Sequence, residues 1–457
     1  MMTKITRITA LMLALLLILA GCSGTTGEST TTAATTTAVP KKTTASTIPP
    51  EQRKTLTVYA LPVEGVDEYA LYAEDFAKKY DDLYDVQIEQ FTDTETMEAR
   101  LKVELPAGQG PDIILGSFVL GLDMMSLAEN GAFYDMTDII AADEEFSDEN
   151  YYTAVMKAGQ IEDRQYLIPL CFSIPMFAST TSTLSEIGID WENEPFEQTC
   201  RRLLDYLKAA ETPQITGWKH YQDLAPVMMQ MFGINPADYG TAYTMTDENT
   251  RLALELSAEM HRQRQETLKN TTGRSDIFFY DAGKLPLYYS HLATTSYDYS
   301  YLYSGYTSNE RGEDFVMYFP TAGDDGSIHA LAPIFAAVSN TTKSPEAAWI
   351  LLRYLIDYPR ETGSPGMPLN RNITDYMMKS IQSGFRMMGD FTYRGLPKDY
   401  AEQILDAFDR IGGGSIEQQA GTWELLTDAM LSIANGEADF DMIADELDGK
   451  LSLYANE

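Results

Sequence analysis

The sequence predicts an α/β protein that is built on an open β-sheet and divided into two lobes. Three observations support this prediction. Apolar β-rich segments alternate with amphipathic helices from residue 54 to 117, helix and strand patterns recur later in the chain, and 44% of the 457 residues are hydrophobic. A chain of this length and composition can bury a core in each of about two to three domains.

Residues 1–22 have the pattern of a signal peptide. Lys4 and Arg7 provide the positive start, and the apolar run from residue 10 to 20 is too short to span a bilayer as a helix. The final "LAGC" resembles the bacterial lipoprotein signal, in which Cys22 would be lipidated and become the new N-terminus. The alternative is an ordinary signal peptide with a chance cysteine.

Residues 23–53 are predicted to be a disordered tether. The segment is rich in Thr, Ser, Ala and Pro, and it contains few large apolar side chains that could stabilise a fold. A lipid, a flexible spacer and a large folded part together predict a protein held at the outer face of the cytoplasmic membrane.

The first folded part reads as β-α-β-α-β. "LTVYAL" at 56–61 is nearly all apolar, as expected of a strand buried on both faces of a parallel sheet. Helical periodicity follows at 67–80, where one face is apolar. A strand at 85–91, a helix at 94–105 and a strand at 111–117 complete the unit, which predicts an open sheet.

The "GQG" at 108–110 is interpreted as the end of a helix. A dinucleotide-binding glycine loop follows a strand and opens a helix, whereas these glycines follow a helix and precede a strand. We therefore expect a turn in which glycine supplies a positive φ.

The later chain predicts the second lobe. Amphipathic helices are expected at 201–211 and 247–265, and a strand at 315–320. A further helix is bounded by Ser344 as N-cap, by the proline that follows it in the first turn and by Pro359 at its end.

Composition and motif searches exclude several functions. The net charge of −35 argues against nucleic-acid binding, which depends on Lys and Arg. No hydrolase, zinc-protease, nucleotide-loop or calcium-loop motif is present, so neither a catalytic residue, a cofactor nor a metal site is predicted. Cys171 and Cys200 provide no disulfide framework, and they either pair or remain buried thiols.

The loops after the strands are the expected place for a ligand, because ligands of open α/β sheets lie beyond the carboxyl ends of the strands. The candidates are residues 59–64, which include Tyr59 and Glu64, and Ser117 and Phe118 after the third strand. Residues 288–306 are rich in tyrosine, whose ring and hydroxyl suit sugars and other amphipathic solutes.

From about residue 54 onward the chain resembles the bacterial family-1 extracellular solute-binding lipoproteins, which serve ABC importers of sugars. The motifs are "FAKKY", "LKVELPAGQGPDIILGS", "LAENGAFYDMTDII", "IEDRQYLIPLCFS", "IGID", "YDAGKLPLYYS" and "SPEAAWILLRYLID". Each motif is weak alone, but their order behind a lipoprotein signal is specific.

The resemblance implies a periplasmic-binding-protein-like (Venus-flytrap) fold with three hinge crossings, at 168–173, 331–336 and near 367–372. Lobe one would comprise 54–169 and 332–367, and lobe two 170–331 and 368–457. The implied function is solute binding without catalysis: the lobes close on a carbohydrate, and the permease subunits of the importer recognise the closed form. The family default is a monomer.

The resemblance also implies ligand contacts. The loop after "GPDIIL" contributes Ser117 and Phe118, and the first crossing contributes Phe172 and Ser173. The second lobe contributes the remaining candidates, Trp218, Tyr221, Tyr289, His291 and Trp423. For each of these residues the alternative is an ordinary structural role in the core or at a strand end.

Two departures from the family affect the ligand. Ser179 and Thr180 replace a common "YN" after the first crossing, and Gly116 and Val119 stand where maltose-type members have Trp and an acidic residue. A maltodextrin is therefore not specifically indicated, and other sugars or non-sugar solutes stay open. A surface glycan hydrolase and an adhesion or scaffold protein are the alternatives from other classes.

Overall fold

The computed structural model describes residues 53–63, 65–217, 224–236, 239–240, 243–269, 285–290, 296–308, 315–322, 326–358, 366–383, 385–386, 392–418 and 420–454. These residues form two main sheets, one of five strands and one of four, with helices packed around each, and four two-stranded pairs. None of the helices in these ranges is both long and apolar enough to cross a membrane.

The chain first builds the five-stranded sheet. Its elements up to the first crossing are β1 (Lys54–Ala60), α1 (Val66–Lys79), β2 (Tyr84–Gln90), α2 (Thr94–Glu104), β3 (Ile113–Ser117), α3 (Met124–Glu129), α4 (Thr137–Ala141), a 3₁₀ helix (Thr153–Gly159), β4 (Gln160–Ile161), β5 (Arg164–Gln165) and β6 (Leu167–Pro169). The β-α-β-α-β prediction is confirmed, with every boundary within two residues of the structure.

The middle of the chain forms the four-stranded sheet and its helices. These elements are β7 (Cys171–Phe172), β8 (Met176–Thr180), α5 (Thr181–Ile187), α6 (Phe196–Ala209), β9 (Ile215–Gly217), α7 (Leu224–Met231), α8 (Glu248–Lys269), β10 (Leu287–Ser290), α9 (Ser296–Ser308) and β11 (Phe315–Tyr318).

The last third adds one strand, β13, to the five-stranded sheet and otherwise forms short strand pairs and helices. Its elements are β12 (Ile328–Ala332), β13 (Ile334–Val338), α10 (Pro345–Ile356), β14 (Met367–Pro368), α11 (Arg371–Ser380), a 3₁₀ helix (Ile381–Ser383), β15 (Phe385–Arg386), β16 (Thr392–Tyr393), α12 (Lys398–Asp409), β17 (Ile411–Ile416), α13 (Thr422–Ala434) and α14 (Phe440–Tyr454).

The five-stranded sheet has the order β2-β1-β3-β13-β6. β1 lies parallel between β2 and β3, and β13 is antiparallel to both β3 and β6. Every residue of β3 is buried, whereas β2 is an exposed edge strand. The sheet is therefore parallel where the β-α-β-α-β unit builds it and mixed where the chain returns.

The four-stranded sheet has the order β11-β8-β10-β9, with β8 antiparallel to both of its neighbours. One hydrophobic cluster covers the five-stranded sheet and continues into one side of the second sheet, and another fills the space among α6, α7, α8 and α13. Cys171 and Cys200 are both buried and are not joined by a disulfide, so the two cysteines do not pair with each other.

Two local predictions have defined outcomes. Gly108 has φ +64°, and the amide of Gln109 donates to the carbonyl of Glu104, so the "GQG" does end a helix. Ser344 is the N-cap residue of α10, but its side chain makes no capping hydrogen bond. Its amide instead donates to Thr342 Oγ1, so the following proline fixes the first turn without a side-chain cap.

Candidate functional site

The three segments expected at the crossings lie side by side. The backbones of Ser173 and Leu331 exchange two hydrogen bonds of 2.9 Å. β7 pairs with β14 through Phe172 and Met367. β12 also pairs with β17 and leads through Pro333 directly into β13 of the five-stranded sheet. The passage between the two sheets is thus a small bundle of adjacent strands.

Four chain segments meet along the second of these crossings. Ser173 pairs with Leu331, and the amide of Glu417 donates to the carbonyl of Ala332 at 3.2 Å. The amide of Phe118 donates to the carbonyl of Pro333 at 3.1 Å, and Ser117 pairs with Ile334. Because an extended chain rises roughly 3.3 Å per residue, all four segments converge within about 10 Å.

The side chains at this point are polar and hidden from solvent. Ser173 is 1% exposed, Ser117 is 3% exposed and Gln418 is 8% exposed. Ser117 Oγ, Ser173 Oγ and Gln418 Oε1 are buried and make no hydrogen bond with a described residue. Each such atom costs about 1–3 kcal/mol when it stays unsatisfied. Three such atoms on segments that meet here call for an explanation, and they make this place the candidate ligand site.

A carboxylate accompanies these neutral groups. The side chain of Glu417 is fully buried next to Gln418, directly after β17. A carboxylate is a strong hydrogen-bond acceptor and would complement hydroxyl donors. The site therefore combines hydroxyl, amide and carboxylate oxygens around one crossing strand.

The predicted aromatic contacts in the described residues are mostly packed in cores. Phe172 lies between Tyr152 and Phe408, with ring centroids 5.2 and 5.1 Å away. Tyr289 is fully buried, and the centroid of its ring lies 4.8 Å from that of Phe177. Trp423 is 4% exposed near the start of α13, whereas Phe118 is only partly buried.

Tyr59 is held by α2. Its hydroxyl donates to Glu104 Oε2 at 3.0 Å, and the guanidinium of Arg100 lies 4.6 Å from its ring centroid. Burial, and then the adjacent Glu104 carboxylate, raises the pKa of Tyr59 to about 12. The hydroxyl is therefore neutral at physiological pH and engaged by α2.

Four predicted ligand contacts, Glu64, Trp218, Tyr221 and His291, and the lipidation residue Cys22 lie outside the described residues. Of the candidates within them, the structure brings Ser117, Phe118 and Ser173 together at the second crossing.

A further contact joins distant parts of the chain close to Trp423. Asp123 caps α3 by accepting from the amide of Ser126, and it also accepts from the hydroxyl of Tyr454 at the end of α14. Gly421 has φ +65°, and a Cβ atom there would lie 2.5 Å from Asp123 Oδ2. The segment before α13 can approach α3 this closely only because residue 421 is glycine.

The structure also explains the glycine at the second departure from the family. Gly116 pairs with Phe335 in the sheet, and a Cβ atom at 116 would lie 2.9 Å from the Phe335 ring. The ring therefore occupies the space that a side chain at 116 would need. In this chain the loop contributes its polar groups from Ser117 onward.

A histidine lies between two of the crossing strands. His329 of β12 forms a 2.8 Å hydrogen bond with Ser415 of β17. Burial lowers its pKa to about 4, because a low-dielectric environment disfavours the charged imidazolium. His329 thus stays neutral at physiological pH and serves as a neutral link between the strands.

Sequence reasoning missed Gln418, Glu417, Asp123 and Gln230. Gln230 is 2% exposed in α7, where all eight residues are buried, and neither amide atom bonds to a described residue. One polar residue in the apolar run "LAPVMMQM" is a signal that could have identified it. Gln418 follows the end of a strand, β17. Ligand contacts after strand ends were expected only in the first sheet, so this residue was missed.

The fold is shared with solved solute-binding proteins. An ABC transporter solute-binding protein of Thermotoga lettingae, bound with α-D-tagatose, is 15% identical, with a TM-score of 0.53 over 88% of this chain and 100% of that chain. The sugar-binding protein of Xanthomonas citri is 14% identical, with a TM-score of 0.57 over 88% and 98%. A Listeria monocytogenes substrate-binding protein in complex with cycloalternan is 12% identical, with a TM-score of 0.53 over 88% and 99%.

These likenesses show the two-lobe, periplasmic-binding-protein type of fold that the sequence predicts. No curated protein matches the chain by sequence. The family model of the bacterial extracellular solute-binding proteins, however, matches residues 72–360, which is more than half of the chain. The chain therefore belongs to the bacterial extracellular solute-binding protein family.

Proposed function

We propose that the chain is a lipid-anchored receptor that binds a carbohydrate, in particular an oligosaccharide, and delivers it to an ABC importer. The observation that carries this proposal is the cluster of buried polar atoms at the second crossing, where Ser117, Ser173 and Gln418 offer groups without partners among the described residues. Sugars are rich in hydroxyls that both donate and accept, so they match such a neutral set.

The polar cluster also favours a mechanism in which the two lobes close around the solute. Its members come from β3, the first crossing and the end of β17, which belong to different lobes in the proposed division at 54–169 with 332–367 and 170–331 with 368–457. A solute held by all of them would draw the lobes together, and the closed form would differ in shape from the open one. Trp423, Tyr289, Phe118, Phe172 and Tyr59 stay proposed contacts, as do Glu64, Trp218, Tyr221 and His291.

Similar proteins support a sugar as the solute. The Thermotoga protein was solved with α-D-tagatose and the Listeria protein with cycloalternan. At 15% identity or below, these ligands suggest a chemical class and no particular sugar.

A calorimetric screen of mono- and oligosaccharides tests the proposal. We expect at least one glycan to bind with a Kd of about 10 μM or below, which corresponds to roughly 7 kcal/mol. A receptor returns the glycan intact, so chromatography of the recovered ligand distinguishes it from a surface hydrolase, which would yield shorter products. No response to any glycan, with a clear response to peptides or polyamines, would reject the sugar and retain the receptor.

The membrane anchor is tested separately. In a bacterial host, a clickable palmitate analogue is expected to label the chain, and Cys22→Ala should abolish the label because the modified thiol is gone. The chain with Cys171→Ala is the matched control and should stay labelled, since that thiol is fully buried. Equal labelling of all three forms, or of none, would contradict the anchor. Genes for two permease subunits beside this gene would support delivery to an importer.

A further inference from the structure

A groove of about 1290 Å³ runs along the outer edge of the four-stranded sheet. Its lining comes from residues 181–196, 231–232, 315–321 and 399–410. The polar atoms at the second crossing, on Ser117, Ser173 and Gln418, are not among the lining residues. The groove is larger than the roughly 300–1,000 Å³ of a typical small-molecule pocket, which favours an elongated ligand.

The floor of the groove is a continuous row of partly exposed aromatic rings. The Trp191 and Tyr318 rings are stacked, with centroids 5.3 Å apart and planes at 14°. Phe196 lies 6.3 Å from Tyr318 and 5.0 Å from Phe232. Such a row offers flat apolar faces to successive rings of a ligand, at a low cost in side-chain entropy.

The rim of the groove carries uncommitted polar groups. The side chains of Glu192, Asp399 and Arg410 are exposed and make no hydrogen bond or ion pair with a described residue. Two further carboxylates, Asp190 and Glu194, accompany them, and Arg410 is the single cation of the lining. This charge balance disfavours an anionic ligand, while acceptors together with one guanidinium donor suit neutral hydroxyl groups.

An added β-strand does not fit this edge. The outward carbonyls of β11 are already engaged by α12, because the Tyr400 hydroxyl donates to Phe315 O and Gln403 Nε2 donates to Met317 O. A peptide that extends the sheet would need these acceptors. The available chemistry is therefore that of the aromatic floor and the polar rim.

We propose that this groove is a second carbohydrate site, which holds a neutral glycan chain against the row Trp191, Tyr318, Phe196 and Phe232. Sugar rings would lie on the aromatic faces, Glu192 and Asp399 would accept from hydroxyls, and Arg410 would donate to them. The site deepens the proposed function, since a tethered receptor with two glycan sites could keep a long chain close to the ligand-binding crossing.

Affinity electrophoresis tests the groove. The full chain is run through native gels that contain a neutral polysaccharide (starch, xylan or galactomannan), and we expect retardation in at least one of them. Trp191→Ala should weaken that retardation about tenfold, because it removes one stacked face. Glu192→Gln and Arg410→Gln should each weaken the retardation as well, because each removes a charged hydrogen-bonding partner of the glycan. Both side chains are exposed, so the substitutions leave the core intact.

Two controls separate this site from the crossing and from misfolding. Trp191→Tyr keeps an aromatic face and should keep most of the retardation. Ser117→Ala with Ser173→Ala, which alters only the crossing, should leave the retardation unchanged. Failure of the calorimetric screen and failure of the groove proposal are therefore distinguishable. The proposal is overturned if no polysaccharide retards the chain, if Trp191→Ala is retarded like the wild type, or if the double serine variant abolishes the effect.

Discussion

Replacement of Arg353 by methionine is expected to lower the free energy of unfolding by about 3–5 kcal/mol, the usual cost of breaking a buried ion pair on one side. The Arg353 side chain is 3% exposed in α10. It donates to Asp143 Oδ2 at 2.8 Å and to Asp357 Oδ2 at 2.5 Å. Methionine would fill much of the volume but leave two nearly buried carboxylates without their cation.

The cluster around Arg353 also fixes the third crossing. Asp357 accepts from the hydroxyl of Tyr151 and, at 2.8 Å, from Nδ2 of Asn370, the N-cap residue of α11. Asp143 accepts from the indole of Trp349 at 3.0 Å. Burial would lower the pKa of Arg353, but the adjacent Asp357 and Asp143 carboxylates outweigh it and keep the pKa raised. The loss of the guanidinium should therefore loosen the crossing as well as α10.

Urea unfolding followed by circular dichroism measures the effect. Arg201→Met is the matched control, because Arg201 also contacts two carboxylates, Glu197 and Glu248, at 2.8 Å, but its side chain is 39% exposed. The control should lose at most about 1 kcal/mol. If both variants lost the same small amount, the buried cluster would not have the role that its geometry indicates.

The fold was predictable where the pattern of the sequence is local. The strand at 56–61 is apolar because it is buried on both faces, and the helix that follows it shows one apolar side, so their types and order could be derived directly. The antiparallel return of β13 could not be derived from the sequence, because its pairing with β3 joins residues that are more than 200 positions apart. No local periodicity encodes such a pairing.

The site was predictable to the extent that topology governs it. Ser117 and Phe118 were identified because they follow a strand, and Ser173 because the family resemblance implies a crossing there; these positions do converge on residues 331–334. The aromatic candidates show the limit of this reasoning. An exposed ring that stacks on a ligand and a buried ring that packs in a core have the same sequence signature, and Phe172 lies between Tyr152 and Phe408.

Contacts between distant residues were the hardest to foresee. Asp123 and Tyr454 are separated by 331 positions, and Arg353 reaches Asp143 across 210. Each of these residues is a common polar type in an ordinary helix context. Their partners become visible only when the helices and loops that carry them are packed together, which is why the sequence indicated the helices but not the clusters between them.

Removal of the two crossing hydroxyls is expected to weaken ligand binding and to stabilise the unbound protein. The variant Ser117→Ala with Ser173→Ala should raise the Kd of the best glycan from the calorimetric screen about tenfold to a hundredfold, since each neutral hydrogen bond contributes about 0.5–1.5 kcal/mol. Without ligand, both hydroxyls are buried and have no partner among the described residues. Their loss should therefore increase the free energy of unfolding by about 1 kcal/mol for each hydroxyl removed.

The opposite signs of the two effects make this variant decisive. Ser257→Ala is the matched control, because Ser257 Oγ on α8 is equally buried and makes no hydrogen bond with a described residue, yet it lies outside the crossing. It should stabilise the protein by about 1 kcal/mol, since it removes one hydroxyl where the double variant removes two, and leave the Kd unchanged. Sites that bind ligands retain polar groups at the expense of stability. A double serine variant that gained stability and bound the glycan as tightly as the wild type would show that the ligand lies elsewhere.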